Sequence, residues 1–248
     1  IESLIPNREI DRLWTHLTSI QDFPVLDESW LRFIPDTLRL QPPVVDQEAL
    51  AAVIGALIKQ RALDIRYTNA KGETKGARIH PQALIQRGPL PYLFALKNVE
   101  PAPVRLYALH RLQSACLLED VERRRAANFD LDSAIASGLA DFGTGQLIEL
   151  ELRVRGYLAV VLAACRLNAE QDWETEPEGS EFEARVRATV PLTGQLLRWL
   201  LGAGTNVEVV LPAELRQMVA GQAVKMAALY GLAAGANPSA ERANLGAE

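Results

Sequence analysis

Between Leu63 and Leu118 apolar and polar positions alternate in short runs separated by turn residues, the pattern of a strand-rich domain. Leu63, Ile65 and Tyr67 fall on one face of a first strand, with Asp64 and Arg66 on the other. Thr68–Gly76 has no apolar run and carries two glycines and an Asn, which suits an exposed hairpin connection. A second strand ends at Arg78-Ile-His-Pro81, where proline fits only a strand boundary, a bulge or an edge. Ala83–Gln86 reads as a third short strand, Gly88–Pro91 as a turn and Tyr92–Leu96 as a continuous apolar strand. After a Pro-containing loop, Val104–Leu112 alternates again, and Ala115–Leu118 follows. Strands this short and this closely spaced predict a small closed barrel, because closure removes exposed edges.

Helical spacing flanks this stretch. Ile10, Leu13, Trp14 and Leu17 mark an amphipathic helix over Asn7–Ile20, with a second helix-compatible stretch at Glu28–Phe33. Asp46 is placed as an N-cap before an apolar stripe of Leu50, Val53, Ile54, Leu57 and Ile58. From Gln146 the order becomes strand (Leu147–Val154), helix (Tyr157–Leu167), strands (Trp173–Glu176 and Phe182–Val190), helix (Leu192–Leu201), strand (Val207–Leu211) and a last helix over Ala213–Leu229 opened by Pro212. That order is the split β-α-β arrangement of a ferredoxin-like sandwich with one extra helix. The pattern predicts an α+β chain in five parts: a helical and linker region (1–45), the barrel with its leading helix (46–126), a linker (127–145), the sandwich (146–230) and a flexible tail (231–248).

The series Ile65-x-Tyr67, a Gly turn, Arg78-Ile-x-Pro81, Leu84, Tyr92-Leu93 and Arg105-x-Tyr107-x-Leu109-x-Arg111-Leu112 resembles the WYL domain of bacterial transcriptional regulators. Pro91 stands where that family has Trp, His110 where it usually has Asp, and the usual Arg two residues after the aromatic of the Arg-x-aromatic motif is missing. Trp199-Leu-Leu-Gly-x-Gly204 and Val207-x-Val-x-x-Pro-x-x-Leu-Arg216 resemble the C-terminal extension that accompanies WYL domains. The resemblance implies an Sm-like or SH3-like barrel in the sensor half of a regulator. It also implies a homodimer, and operator DNA held through a domain not evident in this chain.

Tyr67, Arg78, His80, Tyr92, Arg105, Tyr107 and Arg111 mix cations with aromatics on the barrel strands. By the two-residue period Arg105, Tyr107, Leu109 and Arg111 share one side of one strand. Guanidinium groups grip phosphate in a bidentate way and aromatic faces stack bases, so together these residues suit a nucleotide or single-stranded nucleic acid effector. Taken singly, each also fits a core aromatic or a solvated edge, and His80 fits a ligand contact or a satisfied buried imidazole equally well. His110 is expected to face away from Arg111 as a structural residue.

The formal charge of −5 on 248 residues argues against a nonspecific nucleic-acid coat, and leaves room for a local basic patch. In Glu119–Arg125 three acids interleave with the basic residues, which reads as a solvated strand end. Glu149 and Glu151 read as a solvated edge. No run approaches the length of a membrane span and no signal peptide opens the sequence, so a cytoplasmic protein without membrane attachment is expected. The first residue is Ile, which leaves room for a preceding segment. Cys116 and Cys165, both among apolar neighbours, read as buried free thiols. With three histidines, no CxxC, no HExxH, no Gly-rich phosphate loop and no GxSxG, neither a metal, a cofactor nor an enzymatic centre is expected.

Overall fold

The structure is a computed structural model that describes Leu38 and residues 40–232. The helices expected at Asn7–Ile20 and Glu28–Phe33, and the tail beyond Leu232, lie outside the described residues. The chain divides into two compact units, Ile1–Phe129 and Asp130–Glu248.

The first unit opens with α1 (Gln47–Lys59), capped by Asp46, whose carboxylate accepts the Ala49 N–H at 2.7 Å. Its buried face is Ala49, Val53 and Ala56, while Ile54 and Ile58 of the expected stripe remain exposed. Small side chains let the helix backbone sit close to the sheet, and the apolar face turns toward the alanines. Five strands follow: β1 (Arg61–Thr68), β2 (Thr74–Arg87), β3 (Leu90–Lys97), β4 (Arg105–Ala108) and β5 (Leu112–Glu122). They form one sheet in the order β4-β3-β2-β1-β5, with every neighbour antiparallel. Leu63, Ile65, Ile79, Leu93, Tyr107 and Leu109 build its core with α1.

Two strand assignments change. The second and third expected strands are one long strand, β2, which passes through Pro81 by a register shift between Pro81 and Ala83. The expected Val104–Leu112 strand stops at Ala108, where a 3₁₀ turn at Leu109–Arg111 carries the chain into β5. The sheet is therefore not the closed barrel expected: the 3₁₀ turn cuts β4 to four residues, and no ladder joins it to β5 at the other edge.

In the second unit, α2 (Leu131–Ala136) and a 3₁₀ turn (Leu139–Asp141) precede β6 (Leu147–Val154), α3 (Tyr157–Ala164), β7 (Asp172–Thr175), β8 (Ala184–Pro191), α4 (Gly194–Ala203), β9 (Val207–Leu211) and α5 (Ala213–Leu229). The antiparallel sheet runs β7-β8-β6-β9, so the β6-α3-β7 and β8-α4-β9 units interleave. Ile148, Leu150, Leu152 and Val154 point into the core, as their alternation predicts. The opposite face is an ionic lattice. Glu151 takes hydrogen bonds from Arg185 (2.7 Å) and Arg187 (3.0 Å), and Arg153 reaches Glu176 (2.9 Å) and Glu208 (3.0 Å). The Glu151 side chain retains only 13% exposure, so it is a clamped carboxylate and not a solvated edge.

Both cysteines are exposed, against expectation. Cys116 lies on the polar face of β5 opposite Asp64, and Cys165 caps α3, which ends at Ala164 instead of Leu167.

The segment before β6 folds back tightly around Thr193, the buried N-cap of α4. Gly138 has φ +78°, and a Cβ there would lie 2.5 Å from Thr193 Cγ2. Gly138→Ala is therefore expected to destabilise the protein by about 2 kcal/mol or more in denaturant unfolding. Gly88→Ala, at φ +56° with nothing within 4 Å, is expected to cost less, since only the backbone strain remains.

Candidate functional site in the first sheet

The seven residues chosen from the sequence do not form one surface. Arg78 lies on the outer face of β2, where the hairpin register places it opposite Asp64. Its guanidinium holds that carboxylate in two bonds of 2.9 and 3.1 Å, and the hydrogen bonds keep the Asp64 carboxyl below its usual range. Arg105, at the exposed end of β4, is paired with Glu100 from the preceding loop.

His80 is buried. Its Nδ1 accepts the Arg124 backbone N–H at 3.1 Å and its Nε2 lies 3.0 Å from the Asn98 carbonyl. One neutral tautomer, with the proton on Nε2, satisfies both, and the 3.2 Å approach of the Arg124 Nε to Nε2 is then a contact and not a second hydrogen bond. Burial foremost, then the Arg124 charge, lowers the imidazole below its ordinary value.

Tyr67 and Tyr107 meet edge to face at 5.2 Å, on the inner side of the sheet. The Tyr67 hydroxyl accepts the Ala108 N–H at 3.4 Å. Burial pushes the Tyr107 phenol up to about 12. Tyr92 is buried in β3, opposite Ala108 in β4 and Ile85 in β2.

Arg111 differs from the other cations of the set. It ends the 3₁₀ turn between β4 and β5, and it makes no hydrogen bond or ion pair among the described residues. Its neighbour His110, expected to be merely structural, has Nδ1 buried without a hydrogen-bond partner. Burial and the Arg111 charge both lower that imidazole. The His110 nitrogen and the Arg111 guanidinium thus both keep hydrogen-bonding capacity unused among the described residues. Leu112, the next residue, lies opposite Tyr67 in the register, so the aromatic pair belongs to the same end of the sheet.

Sequence reasoning missed the neutralising partners Asp64 and Glu100, and the anchoring role of Arg123–Arg125. The Asp64 pairing was readable: a hairpin centred on Asn69–Gly72 sets Arg78 across from it. The arginines carried no such signal, because their partners are backbone carbonyls and one neutral side-chain amide. Arg123 donates to the Pro81 carbonyl at 2.9 Å, Arg124 to the Asn98 and Val99 carbonyls, and Arg125 to Gln60 Oε1 at 2.9 Å.

A WYL domain model matches residues 48–117, and a WCX domain model matches residues 146–227. The chain belongs to the WYL-domain family. Its WYL domain comprises α1 and most of the first sheet, and its WCX domain the second sheet with α3, α4 and most of α5. No curated protein matches the chain. Among solved structures, it is similar to proteasome accessory factor B/C (PafBC) of Arthrobacter aurescens at 19% identity, covering 84% of this chain and 29% of that one, with a TM-score of 0.35. It is also similar to a CRISPR Cas-related protein at 12% identity, covering 74% of this chain and 51% of that one, with a TM-score of 0.46. The chain thus spans less than a third of the first structure and about half of the second. No described helix is long and apolar enough to cross a membrane, and the described residues hold no cluster that could bind a metal ion.

The Tyr107 phenol gives a test of the site's core. Its folded value lies above the ordinary 10.0, so the folded state keeps a proton that the unfolded state loses. Stability is expected to fall as pH rises past 10.0, and Tyr107→Phe is expected to reduce that loss in urea melts followed by fluorescence.

Proposed function

We propose that the chain is the effector-sensing region of a WYL-type transcriptional regulator, whose WYL domain binds a phosphate-bearing effector at the β4–β5 turn. The observation that carries this reading is the unpaired Arg111 guanidinium beside the partnerless His110 Nδ1. A guanidinium presents a donor fork that matches phosphate, and the imidazole nitrogen adds one hydrogen bond of either sense. The Tyr67–Tyr107 pair packs the inner side of the sheet at the same end and supports the turn, and a nucleotide or short single-stranded nucleic acid is the phosphate-bearing effector this reading expects. Arg78 and Arg105 are held by carboxylates and act as supports, and His80 and Tyr92 are packing residues in this reading.

The WYL domain is read as an Sm- or SH3-like curved sheet, and the WCX domain as a ferredoxin-like sandwich, which its interleaved strand order supports. The reading extends to a cytoplasmic homodimer that holds operator DNA through a domain not evident in this chain. The effector shifts that dimer by binding one arrangement better than another. The chain acts by binding and catalyses no reaction.

A second reading, a protein-interaction module without a nucleic-acid ligand, is favoured by α5. Beyond its packed first turns this helix exposes Val224, Met226 and Leu229 to solvent.

Fluorescence anisotropy of a labelled single-stranded oligonucleotide and of a labelled nucleotide, at two salt concentrations, separates the two. The sensor reading expects binding that weakens steeply with salt and that Arg111→Ala reduces about tenfold or more, as loss of a charge-assisted contact requires. Arg78→Ala is expected to change it little. Absence of salt-dependent binding to either probe would leave the interaction module as the better account.

A further inference from the structure

The chain leaves the WYL domain through Arg123–Phe129, and this segment is tied to β2, to β3 and the loop after it, and to Gln60 at the end of α1. The Gln82 side chain donates to the Arg124 carbonyl and accepts the Ala126 N–H, at 2.8 and 3.0 Å. The Phe129 ring lies 5.5 Å from that of Phe94. The next residue, Asp130, already caps α2 in the second unit by accepting the Ser133 N–H at 2.8 Å. Arg123–Phe129 are therefore the last residues before the second unit begins.

Most of these ties are indifferent to pH, being amide, carbonyl, guanidinium or aromatic contacts. One is not. His80 Nδ1 is the acceptor for the Arg124 backbone N–H, and it can serve only while it carries no proton. A second proton would set an imidazole N–H against the Arg124 N–H and place a positive ring 3.2 Å from the Arg124 Nε. The charged groups acting on the ring, among the described residues, are Arg124 from the segment and Arg78 two residues away on β2, itself paired with Asp64 of β1. The Asn98 and Gln82 groups around it are neutral, and no carboxylate offsets the added charge.

We propose that His80 is a proton-operated latch on Arg123–Phe129, closed when the imidazole is neutral and loosened when it is protonated. The closed latch favours the neutral ring, so its hold is complete above the ordinary imidazole value of 6.5 and weakens as pH falls below it. The device is independent of the effector site at Arg111, and would stand if no phosphate ligand were found.

Hydrogen exchange by mass spectrometry on the full chain tests this, comparing about pH 7.5 with about pH 5.5 after correction for intrinsic exchange. In the wild type, exchange in Arg123–Phe129 is expected to rise several-fold at the lower pH relative to peptides from β1 and β6. His80→Asn keeps an oxygen that can accept the Arg124 N–H and cannot be protonated, so the rise is expected to disappear. A wild-type segment with no pH response, or an equal rise in His80→Asn, overturns the latch. Nitrogen NMR of the wild-type imidazole gives a reading free of any folding defect in the variant. The expected result is a neutral Nε2–H ring that protonates below 6.5, and a ring protonated at or above that value overturns it.

Discussion

Pro81 stands inside a paired strand with no N–H to give, and the first sheet is shaped around that missing donor. β2 passes from β1 to β3 at Ile79, and its register with β3 slips between Pro81 and Ala83. Such a slip leaves carbonyls without strand partners. Here Arg123 reaches the Pro81 carbonyl at 2.9 Å and the Gln82 carbonyl at 3.5 Å. The Gln82 side chain bonds the His80 and Arg124 carbonyls, both at 2.8 Å. The polar groups freed by the bulge are thus what draw Arg123–Ala126 onto the sheet, and they place His80 within reach of a backbone amide.

Elements with strict periodicity were legible in the sequence. β6 alternates Ile148, Leu150, Leu152 and Val154 against Glu149, Glu151 and Arg153, and each residue faces as the period requires. The Asp46 cap and the Pro212 start of α5 were legible for the same reason: both follow from local backbone chemistry. The break at Leu109 was not, because Leu-His-Arg continues the alternation of β4 in letters while the backbone turns in space. Of the candidate site, Arg111 was legible as a cation that suits phosphate. The Arg78–Asp64 pair follows from the hairpin register, whereas the Arg105–Glu100 pair depends on the path of the loop before β4. That His110 Nδ1 is buried without a partner was not legible, because a residue's neighbour in sequence says little about which of its nitrogens is left unbonded.

The WCX sheet shows the same principle with charges. Four arginines and five carboxylates, Arg153, Arg185, Arg187, Arg216, Glu151, Glu176, Glu208, Asp172 and Glu174, interlock across four strands and the start of α5. Each cation bridges carboxylates on different strands or helps one that does, so fixing one side chain lowers the conformational cost of fixing the next. The residues that look like surface composition in the sequence act together as a cover for the sheet's open face.

Three arginines in a row where one folded unit gives way to another would ordinarily be an invitation to proteases of trypsin-like specificity, which need an extended, detachable backbone. Here the side chains of Arg123, Arg124 and Arg125 are each turned onto an acceptor of their own unit, and the Arg124 amide is bonded to an imidazole. The residues that would mark the junction for cutting are the ones that fasten it.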